Sequence, residues 1–227
     1  MAWKVRPEHY AALAEPNPAG VTEARLTIQI MHALVLQENG DYRQAMAQYD
    51  EAIRRDPRDA NTYFHRGNAW ANQGVNDKAL ADYNEAIRLE PEFAAAYTNR
   101  GATRAEQGDY EKALADFHEA IRLDPRQTDA YNGLVWIWAT CPDARFRDGK
   151  QAVEMATRVG ELAQRINPAN LDTLAAAYAE AGDFENAVKW QIKAMCMVRD
   201  KADKAAFANR LELYRSGQPY RQAPRKR

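Results

Sequence analysis

Cysteine is nearly absent from this 227-residue chain: Cys141 and Cys196 are the only two, and their separation fits neither a disulfide framework nor a metal site. Both read as free thiols. Histidine is also sparse, and His9, His32, His65 and His118 are scattered, with no glycine-rich phosphate loop beside them. A charge excess is missing too, since 31 basic residues face 32 acidic ones for a formal charge of −1. That balance gives no reason to expect nucleic acid or an anionic membrane as partner. No hydrophobic run approaches a membrane span, and the first residues lack the basic start, apolar core and cleavage site of a secretory signal. The cytoplasm is therefore the expected compartment. With no catalytic constellation, metal cluster or cofactor motif, the chain is not expected to be an enzyme, and no cofactor is expected.

What the chain does contain is repetition. Residues 50–57 read Asp-Glu-Ala-Ile-Arg-Arg-Asp-Pro, residues 84–91 Asn-Glu-Ala-Ile-Arg-Leu-Glu-Pro and residues 118–125 His-Glu-Ala-Ile-Arg-Leu-Asp-Pro. The offsets agree at 34, because 91 − 57 equals 125 − 91. A fixed period of this size signals stacked copies of one supersecondary unit rather than a single globular centre. The composition, 46% hydrophobic and 28% charged, is that of a folded chain.

Around that period, residues 60–93 carry Tyr63, Arg66-Gly67, Trp70, Ala79, Tyr83, Ala86 and Pro91, and residues 94–127 carry Tyr97, Arg100-Gly101, Ala113, Phe117, Ala120 and Pro125. The set resembles the tetratricopeptide (TPR) repeat. Each part has a packing reason. Gly67 and Ala79 let two antiparallel helices approach, the aromatics fill the space between hairpins, Gly74 and Gly108 end the first helix, and Pro91 and Pro125 stop the second. The resemblance implies an all-α, right-handed α-solenoid of about five helical hairpins with a C-terminal capping helix.

Taken in order, residues 1–21 form an N-terminal segment rich in proline, with room for one short helix from about Pro7 to Glu15. The array is expected over 22–216, with Thr22 as an N-cap and a first helix over 26–38. Its repeats fall at 26–59, 60–93, 94–127, 128–167 and 168–200, followed by a capping helix at 201–216. The fourth repeat is stretched: from Trp138 to Ala152 is 14 residues, against 79 − 70 = 9 in the second, which places an insertion at 141–149. Trp136, Trp138 and Phe146 read either as a local core for that longer turn or as a contact patch. Residues 217–227, with Arg221, Arg225, Lys226 and Arg227, read as a loose basic tail.

From residue 134 onward a second resemblance is visible. The run Trp138-Ala-Thr-Cys-Pro-Asp143 with Arg147-Asp-Gly149, the stretch Leu171-Asp-Thr-Leu-Ala-Ala-Ala-Tyr-Ala-Glu-Ala-Gly-Asp-Phe184, and Leu213-Tyr-Arg-Ser-Gly-Gln-Pro-Tyr220 look like a module that ends many bacterial TPR proteins. It implies a bacterial origin and supplies no ligand.

Arg66 and Arg100 stand where the general repeat has leucine. In the five repeats that position holds His32, Arg66, Arg100, Leu134 and Leu174, while the position before the second-helix aromatic holds Gln48, Asp82, Asp116, Met155 and Trp190. Polar accompanies polar. The expectation is that Arg66 pairs with Asp82 and Arg100 with Asp116, with a further link to the adjacent repeat; the alternative is that both arginines snorkel into solvent. Asp82 and Asp116 recur by repetition, which points to structure rather than acid-base chemistry.

The resemblance places the binding surface on the concave face, at Phe64, His65, Asn68, Asn72, Thr98, Asn99, Asn132 and Trp136. Asparagine amides both donate and accept, which suits holding a peptide backbone, and Phe64 and Trp136 would be apolar anchors. The plainer reading is that the asparagines keep an exposed face soluble. Asn68 and Asn99 match the asparagines of carboxylate-clamp TPR domains, but that clamp's basic positions fall on Phe64, Asp129 and Gly133, so an acidic terminus would meet no cation. The expected function is recognition of a protein or peptide partner, and the alternative is self-association into a homo-oligomer.

Overall fold

A computed structural model describes residues 18–162 and 167–223, with side chains placed for 26–37, 39–160 and 167–223. The described residues form eleven α-helices, and no strand occurs among them. The first pair is α1 (Pro18–Glu38) and α2 (Tyr42–Arg55), the second α3 (Ala60–Asn72) and α4 (Asn76–Leu89), and the third α5 (Ala94–Glu106) and α6 (Tyr110–Leu123). The fourth is α7 (Thr128–Thr140) and α8 (Gly149–Leu162), with a 3-10 turn at Ala144–Phe146 between them. The fifth is α9 (Pro168–Glu180) and α10 (Phe184–Met197), and α11 (Lys201–Arg215) closes the array.

Local chemistry explains the hairpins. Ala45, Tyr49 and Ala52 in α2, Ala79, Tyr83 and Ala86 in α4, and Ala113, Phe117 and Ala120 in α6 are all buried, a four-then-three spacing that makes one apolar stripe per helix. The opposite faces carry exposed pairs such as Arg88 with Glu85 and Arg122 with Glu119, each at 2.6 Å. Pairs of that kind contribute only about 0.3–0.5 kcal/mol. The first helices end where the backbone turns left-handed at Gly74, φ 73°, and Gly108, φ 83°. The second helices end at Glu90 and Asp124, which the following prolines hold extended at φ −132°.

Stacking is sequential. Each hairpin packs on the next, and each first helix also touches the following first helix, α1 to α3, α3 to α5, α5 to α7 and α7 to α9. Among the described residues the second helices make no comparable contact with one another. This asymmetry sets the first helices on the inner curve of an α-solenoid and splays the second helices on the outside. The apolar residues accordingly form a series of clusters along the axis, from Ala33, Ala45, Tyr49 and Ala69 at one end to Leu171, Ala194 and Phe207 at the other.

Two differences from the sequence reading are informative. The first helix begins at Pro18, and Thr22 lies within it rather than capping it. Proline is compatible with a first turn, where the N–H it lacks has no helical partner. The Pro7–Glu15 helix, like the end of the fourth second helix near Ile166, lies outside the described residues. The second difference is the tail: Gln218 to Ala223 lies against the array instead of hanging free. Gln222 donates its backbone N–H to the Thr140 carbonyl at 2.9 Å, and Arg221 pairs with Glu180.

The tail contact also explains the C-terminal motif segments, which converge in space. Arg147 donates to the Cys141 carbonyl at 2.8 Å and to Glu180 at 3.1 Å, and the Asp148 N–H donates to the Trp138 carbonyl at 3.0 Å. Trp138 and Phe146 pack on the cluster of Tyr110, Phe117, Leu134 and Cys141, so they are a local core for the lengthened turn. Trp136 faces elsewhere.

Candidate functional site: the inner groove

A polar ladder across the hairpins positions the groove. Arg66 on α3 donates through Nε and Nη2 to the two Asp82 oxygens at 2.8 and 2.7 Å, and through Nη1 to Asp50 on the preceding hairpin at 2.7 Å. Arg100 repeats the arrangement with Asp116, at 3.0 and 2.7 Å, and with Asn84 at 2.7 Å. Arg104 adds a second cation to Asp116 at 2.7 Å. Hydrogen bonding to Asp82 holds the Arg66 guanidinium well above its ordinary range against the opposing effect of burial. The arginines thus fix the second helix of one hairpin to that of the hairpin before, and their bonds are made within the array.

In the first hairpin the pattern differs. His32 is exposed, and Gln48 is met by Gln29, whose amide donates to the Gln48 backbone oxygen at 3.1 Å. The polar pairing persists there with a different first-helix residue, one turn earlier.

The eight groove residues separate into groups. Thr98, Asn99, Asn132 and Trp136 line one cavity of about 670 Å³ between α5 and α7, with Tyr220, Gln222 and Ala223 of the C-terminal segment as a further wall. Thr98 is buried; its hydroxyl donates to the Ala94 carbonyl at 3.1 Å and accepts from Gln127 at 3.3 Å. Asn68 and Asn99 are bonded to each other, Asn99 Nδ2 donating to Asn68 Oδ1 at 2.7 Å, and the same oxygen accepts from the Tyr83 hydroxyl at 2.8 Å. Phe64 packs on Phe93, with ring centroids 4.8 Å apart. His65 belongs to a second hollow of about 330 Å³ lined by Ile30, Met31 and Leu34 of α1 with Asp59. Burial lowers the His65 pKa, and Asp59 partly offsets that shift. Asn72 is exposed and lines neither hollow.

Trp136 sits under a stack. Its ring lies 6.0 Å from that of Tyr220, and the Arg210 guanidinium stands 5.6 Å over Trp136 and 5.4 Å over Tyr220. Arg210 in turn donates to Asp172 at 2.7 Å, and burial raises the Asp172 pKa while Arg210 lowers it in part. The floor of the cavity is Gly133, where an added Cβ would come within 2.4 Å of Phe117 Cζ. No longer side chain fits there, and among the described residues no lysine or arginine lines the cavity, whereas Glu106 and Asp129 do.

Sequence reasoning missed Asp50, Asn84, Arg104, Arg210 and Tyr220 as parts of this arrangement. For Asp50 and Asn84 a signal existed: each stands 16 residues before its arginine, the same separation that each arginine keeps from its aspartate. Among the described residues no group of three His, Cys, Asp or Glu could hold a metal ion, and no helix is long and apolar enough to cross a membrane.

No curated protein sequence matches the chain. Solved structures do: PilF of Pseudomonas aeruginosa is 18% identical with a TM-score of 0.69, covering 86% of each chain. PilW, a type IV pilus biogenesis factor, is 21% identical with a TM-score of 0.71, covering 85% of this chain and 86% of its own. YrrB, a TPR protein with an unusual peptide-binding site, is 19% identical with a TM-score of 0.56, covering 80% and 90%. At these identities the likeness is one of fold. Residues 30–92 and residues 94–127 match tetratricopeptide repeat families, so the stretch of this α-solenoid from 30 to 127 is built of TPR repeats.

Proposed function

We propose that the chain is a protein-recognition module that holds an extended segment of a protein partner on its inner curve, over α5 and α7, and catalyses no reaction. One observation carries this reading: the cavity of about 670 Å³ joins apolar surface from Trp136, Ala102 and Ala105 to the amides of Asn99 and Asn132. Apolar anchors beside a few hydrogen-bonding groups are what an extended peptide requires. Of the groove residues named from sequence, the reading keeps Thr98, Asn99, Asn132 and Trp136 as the contact surface. Asn68 supports Asn99 from behind.

The test is a photo-crosslinking amino acid placed at Asn132 in the native host. A defined protein adduct should form there and be absent when the same group replaces exposed Arg122 on the outer helix α6. Equal labelling at both positions, or none at Asn132, contradicts the reading. A second reading, self-association, has its own observation: Ile28, Met31 and Val35 make a stripe on α1 and are 66%, 61% and 52% exposed. An adduct between two copies of the chain, formed from Met31, supports it.

A further inference from the structure

We infer that the chain's own C-terminal segment is the second side of the recognition site: the partner's extended segment lies between α7 and residues 220–223 and is held by both. The inference rests on the groove reading above and adds residues of this chain that bind. Its first support is position. Tyr220, Gln222 and Ala223 line the same cavity as Asn99, Asn132 and Trp136. The segment is anchored at the C-terminal ends of α7 and α9. There the Gln222 N–H donates to the Thr140 carbonyl at 2.9 Å, Arg221 donates to the Ala139 carbonyl at 3.4 Å, and the Arg221 guanidinium pairs with Glu180. Tyr220 and Trp136, with ring centroids 6.0 Å apart, make one aromatic corner. The hollow of about 670 Å³ is the space left with the segment in place, so the segment is a wall of the site and not its plug.

The second support is the kind of backbone that lines this side. Helices α5 and α7 spend their N–H and C=O groups on their own hydrogen bonds, so along their length an extended partner meets side chains alone. Residues 218–223 are non-helical. A non-helical stretch is where an extended chain finds main-chain partners, the basis of strand addition. The wall is also ordered before any partner arrives. Arg210, bonded to Asp172 at 2.7 Å, stands 5.4 Å over the Tyr220 ring, and Arg221 donates to the Tyr220 carbonyl at 3.0 Å as well as pairing with Glu180. Binding against a wall already fixed saves the entropy of ordering it. The occupant that uses every part of this site is an extended protein segment, with main-chain amides toward residues 220–223 and an apolar side chain in the Trp136–Tyr220 corner. A helical partner keeps its main-chain groups to itself and gains nothing from the non-helical edge.

The experiment uses the full chain in its native host, with p-benzoylphenylalanine placed singly at Asn132, at Gln222 or at exposed Arg122 on the outer helix α6. The Asn132 and Gln222 positions should give adducts with one and the same protein, and Arg122 none. Peptide mapping should place the two crosslinks within a single short stretch of that protein. Adding Tyr220→Ala to the Asn132 label should lower the adduct yield on the order of tenfold, whereas Tyr220→Phe, which keeps the ring, should leave it unchanged, both with unaltered circular dichroism. A yield that rises with Tyr220→Ala makes the segment a competitor of the partner and overturns the inference. An unchanged yield, or an Asn132 adduct with none from Gln222, leaves the groove reading standing and overturns the inference alone. If Asn132 gives no adduct in the otherwise unaltered chain, both fall. Should Tyr220→Ala not fold, the mapping from Gln222 decides: crosslinks in separate stretches of the partner overturn the inference.

Discussion

Asn99 donates an amide hydrogen to Asn68 over 2.7 Å, so that two asparagines named for holding a ligand hold each other. With Tyr83 on the same oxygen at 2.8 Å, one side-chain amide ties α3 to both α4 and α5. Losing a hydrogen bond of this kind costs about 0.5–1.5 kcal/mol, and more where a polar group is left buried without a partner. Asn68→Ala should therefore shift the urea midpoint downward. Tyr83→Phe combined with it should add less than the sum of the single changes, because both act on one network. Strict additivity would refute the network.

Asp116 should be the most sensitive carboxylate in the array. Its side chain is 4% exposed and receives both Arg100 and Arg104. Removing it leaves two partly buried cations without their acceptor, a change worth about 3–5 kcal/mol in buried pairs. Asp50 offers the contrast, since it takes a single bond from Arg66 and is half exposed. Asp50→Ala should cost under about 1 kcal/mol. Chemical denaturation of both variants checks the order, and equal losses would contradict it.

His65 gives the array a pH response. Burial places its pKa below the ordinary value of 6.5, so the folded state prefers the neutral ring and the unfolded state binds more protons just below that value. The stabilisation is present above pH 6.5 and is lost as the pH falls through the interval down to the folded pKa. The melting temperature should drop as the pH is lowered through this window, and His65→Gln should lessen the drop. An NMR titration of the ring placing its midpoint above 6.5 would reverse the sign and contradict the account.

The C-terminal segment should depend on one aromatic contact. Tyr220 lies on Trp136 and under Arg210, while Gln222 next to it makes the backbone bond to Thr140. Tyr220→Ala should speed amide hydrogen exchange at Gln222 and leave the Gln73 to Val75 turn unchanged. Exchange at Gln222 that ignores the substitution would show that the backbone bond alone holds the segment.

Much of the fold was legible because the repeat is written in local code: alanines and aromatics four and three residues apart, glycine at each left-handed turn, and proline after the first three second helices. The site was less legible, for physical reasons. Periodicity says which face a residue occupies but not what it bonds once stacked, so Asn68 and Asn99 read as ligand-facing although they bond across a helix interface. Phe64 looked like an anchor, and its packing on Phe93 depends on the loop between hairpins. The tail read as solvated because its charges dominate its composition; the contacts that hold it come from Glu180 and the end of α7, distant in sequence. The prolines of residues 1–21 left room for only one short helix there, whereas proline in a first turn begins a helix as readily as it prevents one.

The central claim is that the inner curve over α5 and α7 is the working surface. Hydrogen exchange of the full chain with and without the partner segment captured at Asn132 tests it most directly. The account predicts slowed exchange at the groove-lining ends of α5 and α7 and at the Gln222 amide, with the outer helices α4 and α6 unchanged. Protection confined to α4 and α6, or to the exposed stripe of α1, would contradict it.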